Sequence, residues 1–115
     1  AALERALKHY PLAEVSGHFH DTYGQALANI YASLELGVST FDGSVGGLGG
    51  CPYAKGATGN VATEDVVFML NGLGIETGID LDKLIDAARL AERIIGRPLA
   101  GRIMHAGSLK QYRAA

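Results

Sequence analysis

The sequence has little cysteine, little proline, no tryptophan and no large excess of charge of either sign. Its single cysteine among 115 residues excludes an internal disulfide and suits a reducing compartment. The formal net charge of −2 argues against the basic face that nucleic-acid binding requires. No apolar run is long enough to span a bilayer, so we expect neither a nucleic acid nor a membrane as a partner.

Glycine, by contrast, is abundant. Sixteen glycines are roughly twice the average share, and they concentrate in residues 46–60, with the sequence GGLGGCPYAKGATGN. We call this stretch the glycine loop. Its composition indicates a backbone that comes close to another group. With 48% hydrophobic and 19% charged residues, the chain as a whole has the composition of one small globular domain.

The hydrophobic pattern alternates between helix-like and strand-like segments. Helices are predicted at 2–9, 23–36, 62–71 and 81–95, and strands at 13–20 and 38–45. Strands that alternate with amphipathic helices form right-handed βαβ units. We therefore predict an α/β fold with a parallel sheet, whose chemistry lies where the strands end.

The ends of the predicted helices carry local signals. Asp80 is predicted to cap the helix that follows it, and Thr63 or Asn60 is predicted to cap the preceding helix. The tail from Leu99 has a weak pattern, and we expect it to fray.

A pair of histidines stands near the end of the first predicted strand. On a strand, His18 and His20 point to the same face about 6.5–7 Å apart along the chain, so both imidazoles can reach one ion. Two histidines that merely form hydrogen bonds are the alternative. Two imidazoles leave an ion unsaturated, and Asn60 can add an amide oxygen. Such an open site with oxygen ligands suits Mg²⁺ or Mn²⁺ better than structural zinc.

The only thiol, Cys51, lies between Gly50 and Pro52. A lone cysteine is most often a small buried hydrophobic residue. Here no periodic apolar pattern would bury it. A thiol on a glycine-rich loop can act as a nucleophile, or as an acid or base in proton transfer.

Other polar residues near these motifs have two interpretations each. A carboxylate or lysine could support the site, or it could cap a helix, end a strand or remain solvated. The residues in question are Asp21, which we assign to capping, Asp42, Lys55, which we assign to solvent, and Glu64. His9 and His105 match no motif, and we interpret both as surface residues.

Two segments together resemble a known family. HFHDTYGQALAN, followed by GGLGGCPYAKGATGNVATED, is similar to the 3-hydroxy-3-methylglutaryl-CoA lyases, members of the metal-dependent TIM-barrel lyases. The similarity runs from about residue 15 to residue 95. The His-x-His pair and the Gly-Asn that closes the glycine loop are shared with the isopropylmalate and homocitrate synthases. The segment Gly-Gly-Cys-Pro-Tyr-Ala is specific to the lyases.

The resemblance implies cleavage of 3-hydroxy-3-methylglutaryl-CoA to acetyl-CoA and acetoacetate, as in leucine degradation and ketone-body formation. It implies that His18, His20 and Asn60 bind a divalent cation, Mg²⁺ or Mn²⁺. It implies that Cys51 is the catalytic thiol that handles the proton at the acetyl-CoA carbon. An acyl-CoA substrate and a homodimer are also implied, with a cytoplasmic location in bacteria and a mitochondrial one in eukaryotes.

The resemblance also implies that the chain is the C-terminal part of one TIM-barrel domain. Such a barrel needs eight βα units and typically ~250 residues. Residues 1–12 would end a preceding helix, 13–61 would supply the seventh and eighth strands with their helix and loop, and 62–115 the C-terminal helices. The family's first strand supplies an arginine and an aspartate ligand, and no segment here matches them.

We therefore expect the isolated chain to be inactive and poorly folded, because two parallel strands alone leave faces and edges uncovered. Two other functions remain open. One is an acyl-CoA-dependent synthase of the isopropylmalate or homocitrate type. The other is a non-catalytic piece or binding module that folds with a partner or a second copy.

Overall fold

The structure is a computed structural model that describes residues 1–50 and 59–114. It alternates short strands with helices, which confirms the predicted α/β class. The helices are α1 (Ala2–Leu7), α2 (Ala26–Glu35), α3 (Thr63–Gly72), α4 (Leu81–Ile95), α5 (Ile103–Ala106) and α6 (Leu109–Ala114). The strands are β1 (Gly17–His18) and β2 (Phe41–Asp42), and 3₁₀ turns occupy Leu12–Glu14 and Val45–Gly47. No helix in this part of the chain is long and apolar enough to cross a membrane.

The two strands pair in parallel, as predicted, with Gly17 opposite Phe41 and His18 opposite Asp42. Gly17 is buried because the ring of Phe41 crosses it, and a Cβ there would come within 2.6 Å of that ring. Both strands are much shorter than predicted. The first predicted strand, 13–20, overlaps the 3₁₀ turn Leu12–Glu14. The ladder between the two observed strands is two residues long.

Beyond the strand ends, the backbone bonds to a third segment. The N–H of Val61 donates to the carbonyl of Phe19 at 2.9 Å, and the carbonyl of Val61 accepts from Ser44 at 2.9 Å. His20 forms an antiparallel bridge with Asn60, and Ser44 a parallel bridge with Ala62. Just past both strands, the backbone thus bonds to the chain that returns from the glycine loop, and the two-residue ladder is not extended.

The predicted N-cap residue is observed at one helix and not at another. Asp80 caps α4 as predicted, because its carboxylate accepts the N–H of Lys83 at 3.2 Å. Neither Thr63 nor Asn60 caps α3, whose N-cap is Ala62 without a side-chain hydrogen bond. The Asn60 side chain instead accepts the N–H of its neighbour Val61 at 2.9 Å.

Within the described residues, the hydrophobic side chains form two core clusters. The first packs α2 and α3 around Ile30, Val61 and Val66, against Phe19 and Phe41. The second holds Ala88 of α4, Leu99 and Met104 together. Leu99 and Met104 are only 5% and 1% exposed, so the tail that was predicted to fray contributes core residues. That prediction is wrong.

Backbone N–H groups of the tail donate to carboxylates on α3 and α4, and these hydrogen bonds hold the tail in place. Asp65 on α3 accepts from Arg102 at 3.1 Å and from Ile103 at 2.8 Å, at the start of α5. Glu92 on α4 accepts from Leu99 at 3.0 Å. His105 is exposed, as its interpretation as a surface residue predicts, and its Nε2 lies 3.0 Å from the Leu99 carbonyl. The contacts of Asp65 with Arg102 and Ile103 join residues 37 and 38 positions apart, and a periodic pattern cannot reveal them.

Glu64, in the first turn of α3, is completely buried. Both of its oxygens accept the N–H of Gly46, at 3.0 and 3.1 Å, and the carbonyl of Gly46 accepts from Gly101 at 2.9 Å. Burial raises the pKa of Glu64, and the bond from Gly46 opposes that rise. Helix α3 and the tail thus hold the first residue of the glycine loop between them. We call these three residues, Gly46, Glu64 and Gly101, the loop anchor.

We expect Gly101→Ala to destabilise the chain by about 1–3 kcal/mol because the loop anchor has no room for a side chain. A Cβ at Gly101 would lie 2.5 Å from a Glu64 oxygen. Gly72→Ala is the matched control, because nothing lies within 4 Å of a Cβ there. In helix α3 that change should stabilise by about 0.5–1 kcal/mol. Urea unfolding followed by far-ultraviolet circular dichroism measures both, and equal effects would contradict the packing seen here.

The raised pKa of Glu64 predicts a pH dependence of stability. Between the ordinary glutamate pKa of 4.5 and the raised native pKa, the folded chain binds more protons than the unfolded chain. The contribution of Glu64 to the free energy of unfolding is therefore present at low pH, and it is lost as the pH rises through that window. We expect Glu64→Gln to flatten this part of the profile, measured as the urea midpoint from about pH 4 to about pH 7. Glu76→Gln, at an exposed position, should keep the original slope. An unchanged slope in Glu64→Gln would refute this assignment.

Candidate functional site

Three of the four predicted site residues lie together at the carboxyl end of the strand pair. His18 ends β1, His20 follows it by two residues, and their ring centroids are 5.3 Å apart. The bridge between His20 and Asn60 brings the end of the glycine loop to this pair. The Asn60 amide nitrogen lies 3.4 Å from His18 Nδ1. This proximity is what a shared ligand set requires, and the role of these residues as metal ligands stays a prediction.

Asp42 joins the same group of side chains. Its Oδ1 lies 2.6 Å from His18 Nδ1 and accepts from Asn60 Nδ2 at 2.8 Å. The hydrogen bond with His18, followed by that with Asn60, holds the pKa of Asp42 below its usual value. The ladder register explains the contact, because it sets His18 directly opposite Asp42. Of its two interpretations, the structure favours support of the site over the mere end of a strand.

The donor set fits a divalent cation that keeps open coordination positions. Two imidazoles and one amide are gathered, and the side chains of His18 and Asp42 remain 57% and 56% exposed. Within residues 1–50 and 59–114, no three His, Cys, Asp or Glu side chains are arranged to hold a metal by themselves. A closed structural zinc site would need four such ligands. If these three side chains bind a cation, as the sequence predicts, further ligands must be added, and we therefore call the group formed by His18, His20 and Asn60 the half-site.

The two ends of the glycine loop lie against each other. A Cβ on Gly59 would come within 2.2 Å of the Gly47 carbonyl oxygen, so only glycine fits. Gly46, Gly47 and Gly49 all have positive φ, which L side chains rarely adopt. The loop therefore leaves and returns at one point, beside His20. Its central part, including Cys51 and Lys55, lies outside the described residues, and the predictions for both stand as they were.

A polar cleft of about 380 Å³ opens beside Asn60. Its walls come from the loop after β1, the end of the glycine loop and the tail, with Asp21, Tyr23, Gly59 and Arg102 among the lining residues. Asp21 accepts the N–H of Ala26, the first residue of α2, at 3.1 Å. The N-cap of α2 is Gln25, without a side-chain bond, so Asp21 is not the cap residue itself, although its carboxylate satisfies the first N–H of the helix.

Sequence reasoning missed how the loop is fixed. The sequence allows Glu64 either to support the site or to lie at a helix start, and it does lie in the first turn of α3. Its partner, however, is Gly46, at the other end of the loop. The available signal was a glutamate on a face otherwise formed by Val66 and Val67, where an apolar residue would be usual. That signal suggests a buried partner without naming it.

Comparisons with known proteins find relatives that are similar to this chain in sequence and in structure. The chain is 60% identical over 96 residues to the mitochondrial hydroxymethylglutaryl-CoA lyase of Arabidopsis thaliana, which covers 84% of this chain and 20% of that protein. It is 59% identical over 95 residues to the 3-hydroxy-3-isohexenylglutaryl-CoA/hydroxymethylglutaryl-CoA lyase of Pseudomonas aeruginosa, covering 83% of this chain and 32% of that protein.

A solved structure of similar fold comes from Acinetobacter baumannii. It is a hydroxymethylglutaryl-CoA lyase in complex with coenzyme A and 3-methylmalate, with 40% identity and a TM-score of 0.87. The match covers 93% of this chain and 35% of that one. The chain thus spans about a fifth to a third of the length of the relatives it matches. Because residues 1–91 match the HMGL-like family, well over half of the sequence, this chain belongs to the HMGL-like family.

Proposed function

We propose that this chain carries part of the active site of a lyase that cleaves 3-hydroxy-3-methylglutaryl-CoA to acetyl-CoA and acetoacetate. One observation carries the proposal: His18, His20 and Asn60 meet at the carboxyl end of a parallel strand pair, where the glycine loop with Cys51 begins and returns. Ligands in parallel α/β folds bind at that edge. Membership of the HMGL-like family supports the same reaction.

In this proposal, β1 and β2 are the seventh and eighth strands of a (β/α)₈ barrel. The TM-score of 0.87 against one third of a solved lyase supports that placement. Coenzyme A in that neighbour supports an acyl-CoA substrate for this chain. The relatives include mitochondrial and bacterial proteins, which supports a mitochondrial or cytoplasmic location according to the source. A homodimer remains part of the proposal by resemblance.

His18, His20 and Asn60 would hold Mg²⁺ or Mn²⁺. When bound, such a cation acts as a Lewis acid and a template for the substrate oxygens. The two imidazoles and the amide fix its place relative to the loop. The loop anchor fixes where the glycine loop starts, and the contact of Gly59 with Gly47 fixes where it returns. A loop held at its base in this way can close over a substrate and exclude water.

The reaction in this proposal is a retro-Claisen cleavage. A base takes the proton of the tertiary hydroxyl, and the oxygen forms the ketone of acetoacetate as the carbon–carbon bond breaks. The bond electrons pass to the acetyl-CoA carbon as an enolate. Cys51 donates the proton that this carbon needs. The first-strand arginine and aspartate that the family resemblance implies lie on no segment of this sequence.

We expect the 115-residue chain alone to be inactive. Incubated with Mg²⁺ and 3-hydroxy-3-methylglutaryl-CoA, it should release no acetoacetate above the rate without protein, because the half-site lacks its remaining ligands. The Pseudomonas aeruginosa relative, assayed in the same buffer, is the positive control. Acetoacetate formed by the chain alone would refute the idea that the site needs residues from another strand.

A chimera tests the proposed chemistry. In it, these residues replace the matching third of the Pseudomonas aeruginosa relative, and we expect lyase activity to persist. Cys51→Ala should lower kcat/KM by about 10²–10⁴-fold, the range typical for loss of a proton-transfer group. His20→Ala should also lower kcat/KM, because it removes a proposed metal ligand. Asp86→Ala, at an exposed position on α4, is the control and should stay near the unmodified rate.

The variants separate the two roles. Full activity in Cys51→Ala would remove the thiol from the mechanism, and an unaltered metal requirement in His20→Ala would remove that histidine from the ligand set. Supplying acetyl-CoA and a 2-oxo acid instead tests the synthase alternative, and condensation by the chimera would favour it. A chimera that folds but catalyses neither reaction would favour the non-catalytic binding module.

A further inference from the structure

We propose that Asp42 is a positioning residue of the half-site: it orients the His18 ring so that Nε2 is the nitrogen left for a cation, and it fixes the amide of Asn60. This inference rests on the proposed function, because it assigns Asp42 a task toward the same cation. The observations behind the inference are the contacts of Asp42 with His18 and Asn60, and Asp42 is not part of the predicted ligand set.

The first step concerns His18. Its Nδ1 lies 2.6 Å from Asp42 Oδ1, a short distance typical of a charge-assisted hydrogen bond. An ionised carboxylate can only accept, so Nδ1 must carry the proton of this bond. A neutral imidazole then has its lone pair on Nε2. Carboxylate partners of metal-bound histidines select the tautomer and hold the ring in this way.

The second step concerns Asn60, whose two amide atoms are each fixed by a different neighbour. Its Nδ2 donates to Asp42 Oδ1 at 2.8 Å, and its Oδ1 accepts the N–H of Val61 at 2.9 Å. The two bonds agree on which end is oxygen, because a carboxylate needs a donor and a backbone N–H needs an acceptor. The Oδ1 atom keeps a second lone pair, and that is the one a cation can use.

The third step separates positioning from stability. The Asp42 side chain is 56% exposed, so its removal leaves no buried group without a partner. Exposed ion pairs contribute little to folding stability, because water and salt screen them. A partner of a metal-bound histidine, in contrast, typically changes metal affinity by about 10–100-fold. Removing a positioning residue should therefore lower the metal affinity, whereas removing a stabilising residue should lower the unfolding midpoint.

The test places each variant in the chimera with the Pseudomonas aeruginosa relative, because the 115 residues alone are expected to fold poorly, and it uses Co²⁺ as the probe. The chimera without these variants is the unmodified chain. We expect Asp42→Ala to weaken Co²⁺ binding by about 10–100-fold, followed by visible absorption, with the unfolding midpoint nearly unchanged. Asp42→Asn keeps an oxygen that can accept from both His18 and Asn60, and it should recover most of the affinity. Asp86→Ala on α4 is the matched control and should bind Co²⁺ as the unmodified chain does.

A second measurement needs no metal. Nitrogen-15 NMR of the imidazoles should show His18 protonated at Nδ1 in the unmodified chain and as a mixture of tautomers in Asp42→Ala. The Nδ1–H form persisting in Asp42→Ala would overturn the inference and leave the proposed function standing. Asp42→Asn binding as weakly as Asp42→Ala would also overturn it, because an oxygen that accepts from His18 and Asn60 would then not be what Asp42 contributes. No Co²⁺ binding by the unmodified chain would overturn the ligand set and, with it, the role of Asp42.

Discussion

Two hydrogen bonds of one residue hold the described site together. Val61 donates to Phe19 and accepts from Ser44, so the chain that returns from the glycine loop is bonded to the ends of both strands. Asn60 precedes Val61, and this attachment is what brings its side chain to His18 and Asp42. Val61 is itself 2% exposed in the first core cluster. The free energy of core packing therefore also fixes the geometry of the half-site.

The base of the glycine loop depends on a different kind of interaction. Burying the Glu64 carboxyl is unfavourable in itself, and the bond from the Gly46 N–H only partly offsets that cost. A leucine there would cost nothing in desolvation, but it could not hold a backbone N–H in a left-handed turn. Gly101 completes the arrangement by bringing its own N–H to the Gly46 carbonyl. The tail is thus part of the loop's support, although it lies about fifty residues further along the chain.

The sequence predicted those features whose cause is local. The Asp80 cap and the helix end at Gly96, with a φ of 80°, follow from rules that act over a few residues. The short strands, the ordered tail and the partner of Glu64 could not be predicted, because their hydrogen bonds join residues remote in sequence. The site falls between these cases. His18, His20 and Asn60 were predicted from residue type, spacing and resemblance, whereas the two interpretations of Asp42 could be distinguished only by the register of β1 with β2.

The same register relates the shape of the site to its chemistry. A parallel ladder sets His18 opposite Asp42 at the strand ends, and the last residue of the loop completes a triangle of imidazole, carboxylate and amide. All three contacts lie on the exposed side of the sheet, where water competes with them and each is weak in free energy. Their geometry is nevertheless well defined, because the backbone that carries each side chain is bonded to the other two. A site whose rigidity comes from the backbone can leave its side chains exposed to a cation and a substrate.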